Sequence, residues 1–551
     1  MKKRLLLALS AFILVLALNF ITALAFEPTI KIIYCDDVYS FSEGMSKIVK
    51  NSKYGFIDQT GNIVIDTQYD FARSFSEELA AVSLGGSWDI DGDYIDGKWG
   101  FTDRTGKVVV PIIYDKVCDF SEGFAAVVEG NKLGFVDITG KIVIPPTYNY
   151  GMYEEYYFRN DLAVVTIGDF DSPGFSVIDK TGNPAFDFNY DYAKLTGYSE
   201  GMLAVGVDGD WGFGGSYYLG RSYNGGKYGF IDTDGNEIIA PIYDYVDDFH
   251  EGIAVVYKDG KLGAIDKEGN VVVPIIYTDI SRSSEGLLCV CNDEGKWGYV
   301  DNTGKVVIDF KFDLCNTFQE GYVTNSIDGK WGAVDSTGKT IIPFKYYNLW
   351  NFSEGFVRFK AVEGGRWGYL DSLGNIVIDP IYQATTDFSD GFAIVIKDDK
   401  FGIITKTSIP FTANPTASNV LVNGSFVAFD AYSINGNNYF KLRDLAYILS
   451  GTEKQFDVTW DNTIKAINLI TGKSYTVSGG EMATGNKDST TAYISNATVF
   501  INGVRVKLNA YTINGNNYFK LRDLGKAFDF GVVWDGTANT IRIETSSSYT
   551  E

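Results

Sequence analysis

Short apolar runs broken by polar turns recur along most of the chain. Phe124-Ala125-Ala126-Val127-Val128 is one such run, and Gly134-Phe135-Val136-Asp137 opens the next. Asp137-Ile138-Thr139-Gly140 then reads as a turn, because Asp bonds the backbone ahead of it and Gly accepts positive φ. Lys141-Ile142-Val143-Ile144 is the return strand, and Pro145 is expected to end the pairing. Each unit is therefore predicted to be a β-hairpin preceded by one more strand.

This unit repeats. It reads aromatic-Ser-Glu-Gly, a short apolar stretch, then Lys-aromatic-Gly-Phe-x-Asp-x-x-Gly-x, three apolar residues and Pro-x-x-Tyr. Copies begin near Phe41, Phe75, Phe120, Tyr198, Phe249, Ser283, Phe318, Phe352 and Phe388. A degenerate copy lies around Leu162 to Tyr190, which makes about ten. The tightest spacing, 34 to 36 residues, is that of stacked or radial repeat architectures. The turn returns as Asp58/Gly61, Asp103/Gly106, Asp179/Gly182, Asp232/Gly235, Asp266/Gly269, Asp301/Gly304, Asp335/Gly338 and Asp371/Gly374. One backbone demand met each time by the same residues points to structure rather than chemistry. The fold expected is mostly β: about ten three-stranded β-meanders, propeller-like or as an open solenoid, followed by a small α+β domain.

The residues Lys98-Trp99-Gly100-Phe101, Lys296-Trp297-Gly298-Tyr299, Lys330-Trp331-Gly332-Ala333 and Arg366-Trp367-Gly368-Tyr369 carry a resemblance to the WG-repeat family of bacterial β-repeat proteins. It covers about residues 41 to 405, and it is specific because the motif recurs in register. It implies a β-rich array with interaction roles and no defined activity.

Another pattern follows. Asn435-Gly436-Asn437-Asn438-Tyr439-Phe440-Lys441-Leu442-Arg443-Asp444-Leu445 returns at Asn514 through Leu524. Asn423-Gly424 and Asn502-Gly503 are hairpin turns ahead of each copy. Leu442, Leu445, Ala446 and Leu449 have helical spacing, and a hairpin through Trp460-Asp461 (Trp534-Asp535 in the second copy) follows. Each half is predicted as β-β-α-β-β. These motifs resemble the copper amine oxidase N-terminal-like domain of secreted bacterial proteins, in which the region is an accessory stalk. Copper amine oxidase chemistry needs several imidazoles, and the chain has one His, His250.

The boundaries expected are 1–25 signal peptide, 26–407 repeat array, 408–418 linker, 419–545 the α+β domain and 546–551 tail. Lys2, Lys3 and Arg4 precede an apolar run to about Leu24, and Ala23-Leu24-Ala25 fits a cleavage site. An uncleaved anchor is the competing reading of this run. A net charge of −23 disfavours nucleic acid and anionic lipid, so no membrane contact is expected beyond the leader. Five cysteines, Cys35, Cys118, Cys289, Cys291 and Cys315, are too few for a disulfide scaffold and read as small buried apolar residues.

Candidate chemistry is sparse. The aromatic before Gly is Tyr54, Trp99, Leu133, Tyr228, Leu262, Trp297, Trp331, Trp367 or Phe401. Interchange of Trp with Leu favours a packing position over a sugar platform. The recurring acids, Glu43, Glu77, Glu122, Glu200, Glu251, Glu285, Glu320, Glu354 and Asp390, are expected to pair with the lysines before the aromatic-Gly step, such as Lys53 and Lys98, as a ladder between units. Asp89, Asp91, Asp93 and Asp96 are candidate Ca²⁺ ligands, and Ca²⁺ is the one cofactor the sequence suggests. The stretch departs from an EF-hand loop, with Gly92 at the fourth position and Gly100 at the twelfth, which favours a solvated hairpin tip. No catalytic residue is assigned. The function expected is a non-enzymatic, extracellular or wall-associated binding or scaffold protein whose partner is a cell-envelope protein or polysaccharide. The alternatives are a carbohydrate-active enzyme using an Asp/Glu pair, or a passive spacer.

Overall fold

The computed structural model describes residues 30–88, 94–150, 155–167, 174–213, 221–464, 466–483 and 488–550. The expected leader, 1–25, lies outside the described residues. The chain divides into two compact units, one of Ile30–Ile376 with Pro380–Ile404 and one chiefly of residues from Thr405 onward.

The first unit is a closed ring of small antiparallel sheets. Blade 1 is built from Asp37–Ser42, Met45–Lys50, Lys53–Asp58 and Ile63–Tyr69, paired in chain order. The meander recurs nine times with four strands and once, in blade 4, with two (Leu162–Thr166 and Phe175–Asp179), counted among the described residues. This corrects the expected three strands. The missed strand is the one that leads into the aromatic-Ser turn, which is only two residues long in several blades, as at Leu314–Cys315. In the last blade the fourth place is filled by Lys31–Ile33 from the other end of the unit, with Lys31 opposite Ile403 and Ile33 opposite Phe401. A cluster of Ile33, Val38, Phe41, Ile48, Ile57, Ile394 and Ile403 then packs the last blade on the first. The ring is therefore closed and the open solenoid is excluded. Closure and the short strand lengths limit the exposed sheet edges that invite aggregation.

The strand patterns follow from this arrangement. The second strand of each blade is covered on both faces by neighbouring blades, so Leu79–Leu84 is buried from Leu79 to Ser83 and reads as a continuous apolar run. The fourth strand alternates, with Val110 and Tyr114 buried and Val108 and Ile113 exposed. Its pairing carries a bulge: Trp99 lies opposite Tyr114 and Phe101 opposite Val110, so three residues face five. The bulge drives the fourth strand's backbone toward the Gly of the aromatic-Gly step, and a Cβ on Gly100 would sit 2.4 Å from the Val110 carbonyl oxygen. That close approach is why the step needs Gly. Pro145 does not end its strand as expected. Ile142–Asn149 runs through it, because Pro145 occupies the same bulge, where no ladder donor is required.

In the second unit six strands close a barrel in the order Pro410–Pro415, Ala431–Ile434, Asn437–Lys441, Asn516–Lys520, Ala510–Ile513 and Thr490–Ile494. The expected linker 408–418 is thus corrected. Pro410 and Pro415 stand at the two ends of a strand, where Pro is tolerated, and Phe411 and Ala413 point into the core. The two halves also exchange hairpins. Asn419–Val422 pairs in parallel with Thr540–Glu544 of the second half, and Thr498–Ile501 with Ala466–Thr471 of the first. Each half therefore contributes one strand and one hairpin more than the β-β-α-β-β expectation. Helices α1 (Leu442–Leu449) and α2 (Leu521–Phe528) cover a shared core in which Phe456 stacks on Phe528 at 4.1 Å.

Candidate functional site

The recurring acids come together at blade junctions. In the Ser-Glu-Gly turn both central residues have positive φ, +50° for Glu43 and +77° for Gly44. A two-residue hairpin with that geometry matches strand twist but is unfavourable for Glu. The Glu carboxylate is held by the next blade. Glu43 accepts the backbone N–H groups of Glu77 and Glu78, both at 2.9 Å, and Glu251 those of Glu285 and Gly286 at 2.8 Å. All nine acids accept at least one such amide, at 2.7 to 3.1 Å. The series ends where it began, with Asp390 accepting from Gly44. Beside it, Ser42 donates to the Phe75 carbonyl at 2.9 Å and Ser389 to that of Phe41 at 2.8 Å, the latter across the closure.

The expected Glu–Lys ladder is corrected. Lys53, Lys98 and Lys296 pair instead with Asp70, Asp115 and Asp313, the residues that link their blade to the next and whose backbone amides already bond the next blade's second strand. Where a ladder acid does meet a cation, the base is the residue after the turn Asp: Arg104 to Glu43 at 3.5 Å, Lys180 to Glu122 at 3.4 Å and Lys267 to Glu200 at 3.2 Å. The strand meander places the lysine near the fourth strand, away from the Ser-Glu-Gly turn.

The aromatic-Gly residues pack rather than project. Leu133 is fully buried, Tyr54 and Trp99 are buried, and Trp297, Trp331 and Trp367 are half-buried. Turn aspartates are occupied as well. Asp103 accepts from the Thr105 hydroxyl at 2.7 Å and from the Thr105 and Lys107 amides at 2.9 and 3.0 Å. Those bonds hold its carboxyl below the usual range, and the same set acts on Asp137, Asp179 and Asp301.

Of the Ca²⁺ candidates, Asp89, Asp91 and Asp93 lie outside the described residues. Asp96 has φ +62° and follows a hairpin of Ser87–Trp88 with Tyr94–Ile95. Among the described residues no group of three His, Cys, Asp or Glu side chains could hold a metal ion. His250 stands in the Ser position of its turn, and Ser283, at the aromatic position of the next blade's turn, donates to Glu251 at 2.6 Å. The cysteine reading is corrected at one pair: Cys289, in the strand Leu287–Cys291, is disulfide-bonded to Cys315, in the strand Leu314–Cys315 of the next blade. The second strand of one blade faces the first of the next, a juxtaposition that a separation of 26 residues does not announce. Burial pushes the thiols of Cys35 and Cys118 up to about 11.

The second unit holds a candidate site made of none of the site residues expected from the sequence. An open groove of about 710 Å³ is lined by Asn437, Asn438, Lys520, Arg522, Val533 and Trp534, among others. Trp534 is 47% exposed and Val533 50%. The two copies of Phe-Lys-Leu-Arg-Asp-Leu and Trp-Asp were visible in the sequence. The signal that could have found the groove lies in their differences, Asn462 against Gly536 after the Trp-Asp pair.

No curated protein matches this chain. Among solved structures, one described as the crystal structure of the eukaryotic initiation factor aligns at 12% identity over 58% of this chain and 88% of that one, with a TM-score of 0.37. The computationally designed Ika8 protein aligns at 12% identity over 69% and 98%, TM-score 0.27. BamB from Moraxella catarrhalis aligns at 14% identity over 64% and 98%, TM-score 0.25. The WG containing repeat matches at 30–54, 54–88, 99–132, 134–169, 175–211, 228–261, 263–297, 297–331, 331–364 and 367–401, more than half of the chain. With its ring of bulged, Gly-dependent blades, this chain belongs to the family of WG containing repeat proteins.

Proposed function

We propose that this chain is a non-enzymatic binding or scaffold protein of the cell surface or extracellular space. In this reading the ring is a rigid platform, and the second unit, with its resemblance to the copper amine oxidase N-terminal-like domain, is an adhesion module. The partner is a cell-envelope protein or polysaccharide. The observation that carries the reading is the use of the recurring carboxylates: each is held by backbone amides of the next blade, so these nine acids are engaged in holding the ring and are not free to serve as the acid pair that glycoside hydrolysis requires. The Cys289–Cys315 disulfide accords with an oxidising compartment.

Capture from cell envelopes by the purified chain, alongside a screen for released sugar on wall and plant polysaccharides, tests the proposal. Retention of an envelope component without turnover is expected. Sugar release that disappears on substitution of one carboxylate would contradict it.

A further inference from the structure

The two halves of the second unit carry the same donors in different states. Trp460 and Trp534 occupy equivalent places and are 46% and 47% exposed. The Trp460 indole N–H donates to Asn462 at 3.0 Å. Gly536 replaces that Asn, and the Trp534 N–H meets no acceptor among the described residues. In the first half Arg443 donates to the Ser478 hydroxyl at 2.6 Å and Lys441 to the Gly480 carbonyl at 3.0 Å. Their counterparts Arg522 and Lys520 have no side-chain hydrogen bond or ion pair among the described residues, and both line the groove. The first half thus displays what this Lys-x-Arg pair takes: a hydroxyl and a carbonyl oxygen of a turning segment laid against it.

We propose that this groove, lined by residues of both halves, binds a uronate-bearing oligosaccharide, with Trp534 as stacking face and Arg522 and Lys520 on the carboxylate. The inference rests on the reading of the chain as a binding protein and assigns that activity a place and a ligand class. The groove volume of about 710 Å³ suits a short oligosaccharide. Trp534 supplies an exposed apolar face with a polar indole tip, which fits the C–H face of a sugar ring better than a peptide backbone. The Asn438 carbonyl oxygen accepts from Thr416 at 2.9 Å, which leaves its amide N–H groups for a hydroxyl. In a chain of net charge −23, two cations without carboxylate partners select an anion, and the planar Arg fork matches a carboxylate.

Calorimetric titration of the full chain with a short oligogalacturonate, a cello-oligosaccharide, a polyglutamate peptide and a polyglycerol phosphate tests this. The oligogalacturonate is expected to bind, more weakly at high salt, and the neutral sugar at least about tenfold more weakly. Trp534→Ala and Arg522→Gln each lower uronate affinity by about tenfold or more, with an unchanged melting curve because both side chains are exposed. Trp460→Ala leaves it unchanged. Uronate affinity indifferent to Trp534→Ala and Arg522→Gln overturns the proposal, as does tighter binding of polyglutamate or polyglycerol phosphate. Envelope capture that survives both substitutions removes the groove and keeps the binding-protein reading. Loss of capture by the unaltered chain removes both.

Discussion

The ring and the second unit both repeat, and they use repetition in opposite ways. In the ring, copy after copy places its acid on the next blade's amides, and departures such as His250 and Asn160 fall at the same turn geometry. In the second unit two near-identical motifs diverge at the few atoms that face solvent: Trp460 has its acceptor and Trp534 does not. Identity between copies marks a demand of the fold. Divergence between copies, once the fold is satisfied, marks a place where something outside the chain sets the requirement.

Four substitutions or titrations sharpen the contrast on the ring side. The largest effect is expected at the aromatic-Gly step. Gly100→Val puts side-chain atoms where the Val110 carbonyl already stands, 2.4 Å from the nearest added carbon. It should cost on the order of 3 kcal/mol or prevent folding of its blade, read by denaturant unfolding. An unchanged midpoint would mean that the bulge does not require Gly.

Next is the ladder. Glu251→Ala removes the acceptor for the amides of Glu285 and Gly286 and the restraint on a left-handed backbone. A loss of about 1–3 kcal/mol is expected. A smaller loss is expected from acid. Carboxylates whose folded pKa lies below the unfolded value stabilise fully above that value, near pH 4, and lose the contribution as pH falls through the folded pKa. Asp103, Asp137, Asp179 and Asp301 all shift in that direction. Melting temperature should therefore drop on acidification below about pH 4, less steeply in Asp137→Asn. A flat profile would show the turns to be indifferent to their charge. The smallest effect belongs to Lys98→Ala, whose pair with Asp115 is largely solvent-exposed and worth about 0–1 kcal/mol.

The repeat, its turn aspartates and its glycines were legible in the sequence because each meets a local backbone demand. Four things were not. The closing strand Lys31–Ile33 has three residues and pairs with Ile403, so no local pattern announces it. The ladder's acceptors were visible as Glu, but their donors are main-chain amides, which leave no mark in a sequence, and lysine was put in their place. The groove depends on which donors lack partners, a property of the folded surface. Pro410–Pro415 was misread as a linker because its prolines stand at strand ends, a position that periodicity does not distinguish from a loop.

The central claim is that the repeated acids hold neighbouring blades together and take no part in ligand handling. Amide hydrogen exchange on Glu251→Ala, combined with envelope capture by the same protein, tests it most directly. The account predicts faster exchange at Glu285 and Gly286 in the next blade, with capture unchanged. Unaltered exchange at those two amides together with lost capture would contradict it.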